Sequence, residues 1–179
     1  MTARTVYTVG HSNRDPEPFL DLLQEQGIAL VADIRRFPSS RKFPHFNRGE
    51  LQRSLAGRNI EYHWVQAMGG RRHDADVQGQ EGLSSPAFRS YAEHMNGPEF
   101  RQAAAQLLEA AERMRVAIMC AEKLFWKCHR LLVSDYLVAQ GHRVLHILEP
   151  GRVQEHKLSS RLRVLPGGRL EYAAEDEAG

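Results

Sequence analysis

Residues 28–35, IALVADIR, constrain the fold more than any other stretch of the chain. Apolar side chains run without a break from Ile28 to Ala32, so no alternation leaves one face for water. A strand of this kind is buried on both faces, the environment of a parallel sheet covered by helices. Other stretches agree with that frame. TVYTVG (5–10) is a β-branched run closed by glycine, and IEYHWV (60–65), RVAIMC (115–120) and RVLHIL (143–148) read as further strands.

The intervening segments read as helices. Asp15 stands at an N-cap, Pro16 at the first helical position and Gly27 at the stop, with Phe19, Leu22 and Leu23 as the buried stripe. NRGELQRSLAGRN (47–59) is a second helix, Pro86–Met95 a third, and a fourth starts at Pro98. In the fourth, Phe100, Ala103, Ala104, Leu107, Leu108, Ala111 and Met114 fall at helical spacing. CHRLLVSDYLVAQGH (128–142) is a fifth, ended by Gly141. Gln66–Ser85 is long, polar and glycine-rich, as functional lids or disordered segments are. RLRVLPGGRLEY (161–172) predicts a hairpin on Pro166-Gly167-Gly168 that extends the sheet edge or reaches a partner, and AAEDEAG is a frayed tail. The expectation is an α/β fold: a single three-layer domain with a mainly parallel sheet of about five strands, plus a C-terminal β-hairpin. Residues 1–150 form the α/β domain and 151–179 the hairpin extension and acidic tail.

A chain of 179 residues can bury its own core without staples. It has no apolar run near the roughly 20 residues of a membrane span, and its start lacks the apolar region of a signal peptide. A cytoplasmic protein without structural disulfides is expected. Net charge is only +2, with nine histidines in reserve, so any nucleic-acid affinity must come from where the charges lie. VGHSNRDP (9–16) is no dinucleotide fingerprint and the chain holds no P-loop lysine motif, so no cofactor is predicted.

Parallel sheets bind ligands outside the carboxyl ends of their strands. His11 and Ser12 follow the first strand, Asp33 and Arg35 close the second, and Cys120 and Glu122 close the fourth. Three separate pieces of sequence therefore bring His, Asp, Arg, Cys and Glu to one rim.

The segments YTVGHSNRDPEPFLDLL, VADIRRFPSSRKFPHFN, IEYHWVQAMGGRR and CAEKLFWKCHRLLVSDYLVAQGHRVLHI resemble the family called domain of unknown function 488. The resemblance runs from about Tyr7 to Ile147. It implies an α/β domain marked at His11, Ser12, Asp33, Arg35, Pro38, Ser40, Cys120, Glu122, Cys128, His129 and Arg130, and it implies no particular reaction.

RRFPSSRKFPHFNR (35–48) interleaves Arg35, Arg36, Arg41, Lys42 and Arg48 with Phe37, Phe43 and Phe46. Cations neutralise phosphates and rings stack on bases, so the loop suits a nucleic acid or nucleotide; a plain cap on the sheet edge is the alternative. Arg71 and Arg72, in GGRR, add cations on a hinge that either covers a polyanion or is solvated. Arg130, Cys128 and His129 stand where a helix begins, a place that favours anions and lowers a thiol pKa. The arginine spacing of a phosphatase loop is absent: six residues after Cys120 comes Trp126, and six after Cys128 comes Ser134. A rhodanese-like persulfide loop is a looser match, because AEKLFWK is longer and has no glycine. A bound metal, if any, would take Cys120, Cys128 and His129, although their spacing is no compact zinc pattern.

Asp33 and Glu122 are candidate general acid and base for glycosidic or phosphoester cleavage. Pairing of Asp33 with Arg35 or Arg130 is the structural alternative. His11 would shuttle protons, and Ser12, Ser40 and Arg41 would help hold phosphate. His63, His94, His142, His146 and His156 have no evident partners. The sequence thus predicts an enzyme on a phosphate-bearing substrate, preferably a nucleic acid or nucleotide. A thiol or persulfide enzyme using Cys120 or Cys128 and a non-catalytic nucleic-acid-binding module are the alternatives.

Overall fold

The computed structural model describes residues 2–70 and 77–174. Arg71 and Arg72 lie outside the described residues, as does the tail from Glu175. The first five strands are β1 (Thr5–Gly10), β2 (Leu30–Asp33), β3 (Glu61–Trp64), β4 (Val116–Cys120) and β5 (Arg143–Glu149). All their pairings are parallel. A sixth, β6 (Arg152–Glu155), turns back antiparallel on β5, giving the order β3-β2-β4-β1-β5-β6. Gly151 makes that turn possible with φ +70°, a conformation that costs glycine nothing.

Every residue of β2 and β4 is buried, as the apolar runs Leu30–Ala32 and Val116–Cys120 imply, and Asp33 at the end of β2 is buried with them. Successive side chains point to opposite faces. Ala117 and Met119 of β4 therefore join Val9 and Val31 against α1 (Pro16–Glu25) and α2 (Arg48–Ala56). Val116, Ile118 and Cys120 join Leu30 and Val144 on the other face, against α3 (Pro86–His94), α4 (Pro98–Ala111) and α5 (Arg130–Ala139). The α1 stripe Phe19, Leu22 and Leu23 is almost wholly buried, each side chain contributing about 1.5–3 kcal/mol. Pro16 presets the first turn of α1 and Gly27 (φ +66°) closes it, although Asp15 makes no side-chain capping bond. Ser85 does cap α3, accepting from the Phe88 amide at 3.3 Å.

The hairpin pairs β7 (Leu162–Val164) with β8 (Leu170–Tyr172) as a sheet of its own. It packs on the α3–α5 layer instead of extending the main sheet. Leu170 and Tyr172 enter that core, and Asn96 fixes Leu170 by accepting from its amide at 2.7 Å and donating to its carbonyl at 2.9 Å.

The topology decides where a ligand can bind. From β1 the chain runs outward through β2 and β3 with α1 and α2 on one face. It returns over the other face through α3 and α4 to insert β4 between β2 and β1. The connection leaving β1 and the one leaving β4 thus diverge over opposite faces, which opens a crevice at their carboxyl ends.

Candidate functional site

The crevice is built on backbone. His11 N donates to Cys120 O at 2.9 Å and Ser12 N to Ala121 O at 3.0 Å, carrying the β1–β4 ladder past the strands. A Cβ on Gly10 would lie 1.9 Å from the Glu122 carbonyl oxygen, so only glycine allows this approach. Beside the crevice is a cavity of about 620 Å³ lined by Arg35, Arg36, Phe37, Ser39, Lys127 and Tyr91, with Cys120, Glu122, Cys128 and His129 among its other walls. His11, Asp33 and Arg130 stand behind these walls.

Asp33 is wholly buried and closed from within. Its carboxylate accepts from Arg35 N (3.0 Å), Nε (2.9 and 3.2 Å) and Nη2 (2.7 Å), and from the Tyr62 hydroxyl at 2.6 Å. Burial, then that bond to a carboxylate, pushes the Tyr62 hydroxyl pKa upward. Arg35 Nη1 donates to Phe46 O at 2.8 Å and faces His11 Nε2 at 3.4 Å. His11 Nδ1 bonds the Ser12 carbonyl at 2.9 Å, which fixes the proton on Nδ1 and leaves Nε2 an acceptor. Burial brings its pKa down to about 4, and its ring stacks on Phe46 with centroids 4.3 Å apart. This cluster orders the rim and turns few groups toward the cavity.

The second cluster is different. Cys120 Sγ and Cys128 Sγ are 2.8 Å apart. Arg130 is 1% exposed. Its Nε donates to Cys120 Sγ at 3.0 Å, Nη1 to Thr8 Oγ1 at 2.9 Å, and Nη2 to the carbonyls of Glu122 (2.6 Å) and Lys123 (3.2 Å). In that set only the Cys120 thiol can carry negative charge. Burial by itself raises the Cys120 pKa, but the hydrogen bond with Cys128 and the Arg130 charge override it and bring it to about 7. Burial and the neighbouring thiolate push Cys128 the other way. Cys128 also accepts from Arg130 N at 3.4 Å at the start of α5 and lies 3.4 Å from His129 Nδ1. His129 Nε2 bonds the Ile34 carbonyl at 3.1 Å, so its Nδ1 faces the thiol as an acceptor while the ring is neutral. A Cβ on Gly70 would come within 2.7 Å of that Nδ1.

The remaining expected residues scatter. Ser12, with φ +50°, lies at the end of β1 with its hydroxyl on Asn13, 3.4 Å away. Ser40 caps a turn, accepting from Phe43 N at 2.9 Å. Arg41 is exposed, and Glu122 is an exposed side chain at the cavity rim that accepts from Leu124 N at 3.3 Å. Cys120, Cys128 and His129 do meet, yet among the described residues no three His, Cys, Asp or Glu side chains are grouped as a metal ion needs. Three buried polar residues lie next to the thiol cluster without any local motif to mark them: Thr8 on Arg130, and His146 and His156 beyond it. Among the described residues no helix is long and apolar enough to cross a membrane.

A search of curated proteins and a search of solved structures each returned no match. The family model described as Domain of unknown function DUF488 matches residues 15–137, and the chain belongs to that family.

Proposed function

We propose that this family member is a thiol-dependent enzyme whose reaction centre is Cys120 with Cys128 beside it, acting on a phosphate-bearing substrate of nucleotide size. One observation carries the reading: Arg130 is buried, and among the described residues the only potentially anionic group its guanidinium touches is Cys120. A buried cation without a counter-charge is strongly unfavourable. A thiolate at Cys120 removes that penalty and is a nucleophile at neutral pH. Cys128, whose Sγ lies 2.8 Å from Cys120 Sγ, is placed to act as a second thiol.

In sulfur transfer the Cys120 thiolate attacks the terminal sulfur of a persulfide R–S–SH. The new S–S bond leaves Cys120–S–SH, and the departing RS⁻ carries away the electron pair of the broken bond. The substrate nucleophile then attacks that terminal sulfur; the Cys120 S–S bond breaks and its electron pair returns to Cys120 as the thiolate. Arg36 and Lys127 on the cavity wall suit phosphate, and Phe37 and Phe88 suit a base. Its volume of about 620 Å³ suits one nucleotide. Asp33, committed to Arg35 and Tyr62, fits a positioning role better than general-base work. Glu122, exposed at the rim, is the carboxylate that hydrolytic cleavage would use.

The test is site-resolved alkylation. Iodoacetamide is expected to label Cys120 with a midpoint near pH 7, more slowly when a nucleoside monophosphate is present. Two thiols that titrate only at about 8.5 would refute the thiolate. Labelling indifferent to nucleoside monophosphate would refute the substrate class.

A second reading rests on the loop after β2. Phe37 is 63% exposed, with the Arg36 guanidinium 5.4 Å from its ring centre; Arg41 and Lys42 are exposed along the same loop and Arg48 at the start of α2. That surface suits single-stranded nucleic acid without catalysis. It requires binding that weakens steeply with salt.

A further inference from the structure

Behind the thiol pair a file of buried polar groups crosses the molecule. Arg130 Nη1 is 2.9 Å from Thr8 Oγ1, which is 2.6 Å from His146 Nδ1. His146 Nε2 is 2.9 Å from His156 Nδ1, and His156 Nε2 is 2.7 Å from Asp135 Oδ1. The Tyr172 hydroxyl donates to Asp135 Oδ2 at 2.7 Å and Ser159 N to Oδ1 at 3.1 Å. Arg130, Thr8, His146, His156, Asp135 and Tyr172 are all buried.

With both imidazole rings neutral, the two ends fix the direction of every bond between them. A guanidinium only donates and an ionised carboxylate only accepts. Asp135 therefore requires the proton of His156 on Nε2. His156 Nδ1 is then an acceptor, which requires the proton of His146 on Nε2 as well. His146 Nδ1 in turn accepts from the Thr8 hydroxyl, whose lone pairs are left for Arg130. Phe125 stacks on His146 at 3.6 Å and 4°, so the ring cannot swing out of the file. Burial is the largest cause that brings the His146 pKa down to about 3, which keeps the ring neutral as the file demands.

We propose that Asp135 is a positioning residue for the thiol site: through His156, His146 and Thr8 it fixes the plane of Arg130, and so keeps the Arg130 Nε–H on the Cys120 thiolate. This rests on the reading of Cys120 as the thiolate of the site. Among the described residues, the groups facing Cys120 are Cys128 and Arg130 directly, with Arg35, Arg36, Lys127, His129 and Glu122 around the same cavity. Those facing Asp135 are His156 and Tyr172. The sign discriminates between causes. Direct repulsion from a distant Asp135 anion would raise the Cys120 pKa, so removing the charge would lower it. Loss of Arg130 alignment does the opposite.

The experiment is the pH profile of iodoacetamide alkylation at Cys120, resolved by peptide mass spectrometry, in the full chain. Asp135→Asn and Thr8→Val are each expected to raise the midpoint by about 1, a tenfold loss of thiolate below it. Thr8→Ser, which keeps the hydroxyl, is expected to retain the wild-type midpoint. A wild-type midpoint near 7 with Asp135→Asn and Thr8→Val unmoved, or moved downward, overturns the positioning role alone. A wild-type midpoint of about 8.5 overturns the thiolate itself. Should Asp135→Asn fail to fold, the contrast of Thr8→Val with Thr8→Ser decides, since both leave Asp135 and its partners in place.

Discussion

Replacing Arg130 by methionine removes the cation that, among the described residues, touches Cys120, while keeping an unbranched side chain in the space. Burial is the largest influence on this thiol and acts to raise its pKa. Without Arg130 the value returns to about 9 or above. At pH 7 a thiol of pKa about 7 is half ionised, and one of about 9 is roughly 1% ionised, a loss of about 50-fold in thiolate. The more basic thiolate is the better nucleophile; with a Brønsted coefficient of about 0.4–0.5 the rise restores roughly 6- to 10-fold. Alkylation of Cys120 in Arg130→Met is thus expected to be about 5- to 8-fold slower at pH 7. At pH about 10.5, where both thiols are ionised, it is expected to be the faster of the two proteins. Initial rates with iodoacetamide from acid to alkaline pH, with circular dichroism to confirm folding, give both arms of the curve. An unchanged rate at neutral pH, or a slower rate throughout with no crossover, would refute the pairing of Cys120 with Arg130.

Asp33→Asn leaves the buried Arg35 guanidinium without its counter-ion, so urea denaturation should show a loss of about 3–5 kcal/mol. Gly10→Ala drives a methyl group against the Glu122 carbonyl; the expected cost is about 1–3 kcal/mol, together with a higher Cys120 midpoint, because that carbonyl also holds Arg130. The pKa values of His11 and His146 are lowered to about 4 and about 3. Each therefore contributes stability that is complete above the unfolded value of about 6.5 and lost as pH falls toward the folded values, at up to about 1.4 kcal/mol per histidine per pH unit. Urea midpoints that stay level from pH 7.5 to 5 would contradict this. Phe37→Ala should weaken nucleotide binding by about 1–3 kcal/mol if the ring stacks on a base, with no change in melting temperature, since the side chain is mostly exposed.

The strands, the helices and the rim were legible because local periodicity reports burial, and burial sets the layers. Asp33, Arg35, Cys120 and Glu122 stand at the carboxyl ends of β2 and β4, as the apolar runs before them imply. What each rim group bonds to was not legible. Asp-Ile-Arg is the same tripeptide whether its carboxylate faces a substrate or its own arginine, and the choice depends on Tyr62, which reaches Asp33 from the next strand. The file behind Arg130 was invisible for a related reason. Thr8 and His146 are 138 positions apart, and Tyr172 and Asp135 are 37 apart. One clue was present: Asp135 interrupts the apolar run of LLVSDYLV, and a carboxylate there must find buried partners. Strand β6 was missed because RVQE is short and polar, although the Pro150-Gly151 turn before it marks a reversal.

The position of β4 in the sheet also dictates the order of events as the chain is made. β1 does not pair with β2; both pair with β4, and Tyr7 waits for Ala117, 110 positions later. Until residues 116–120 leave the ribosome, β2–β3 is the one pairing of the main sheet that can form. Non-local closure of this kind is slow and leaves apolar strands uncovered while synthesis continues. The nascent first half therefore keeps apolar surface exposed until then. Cys120, arriving with the strand that closes the sheet, meets Arg130 only when that vulnerable period ends.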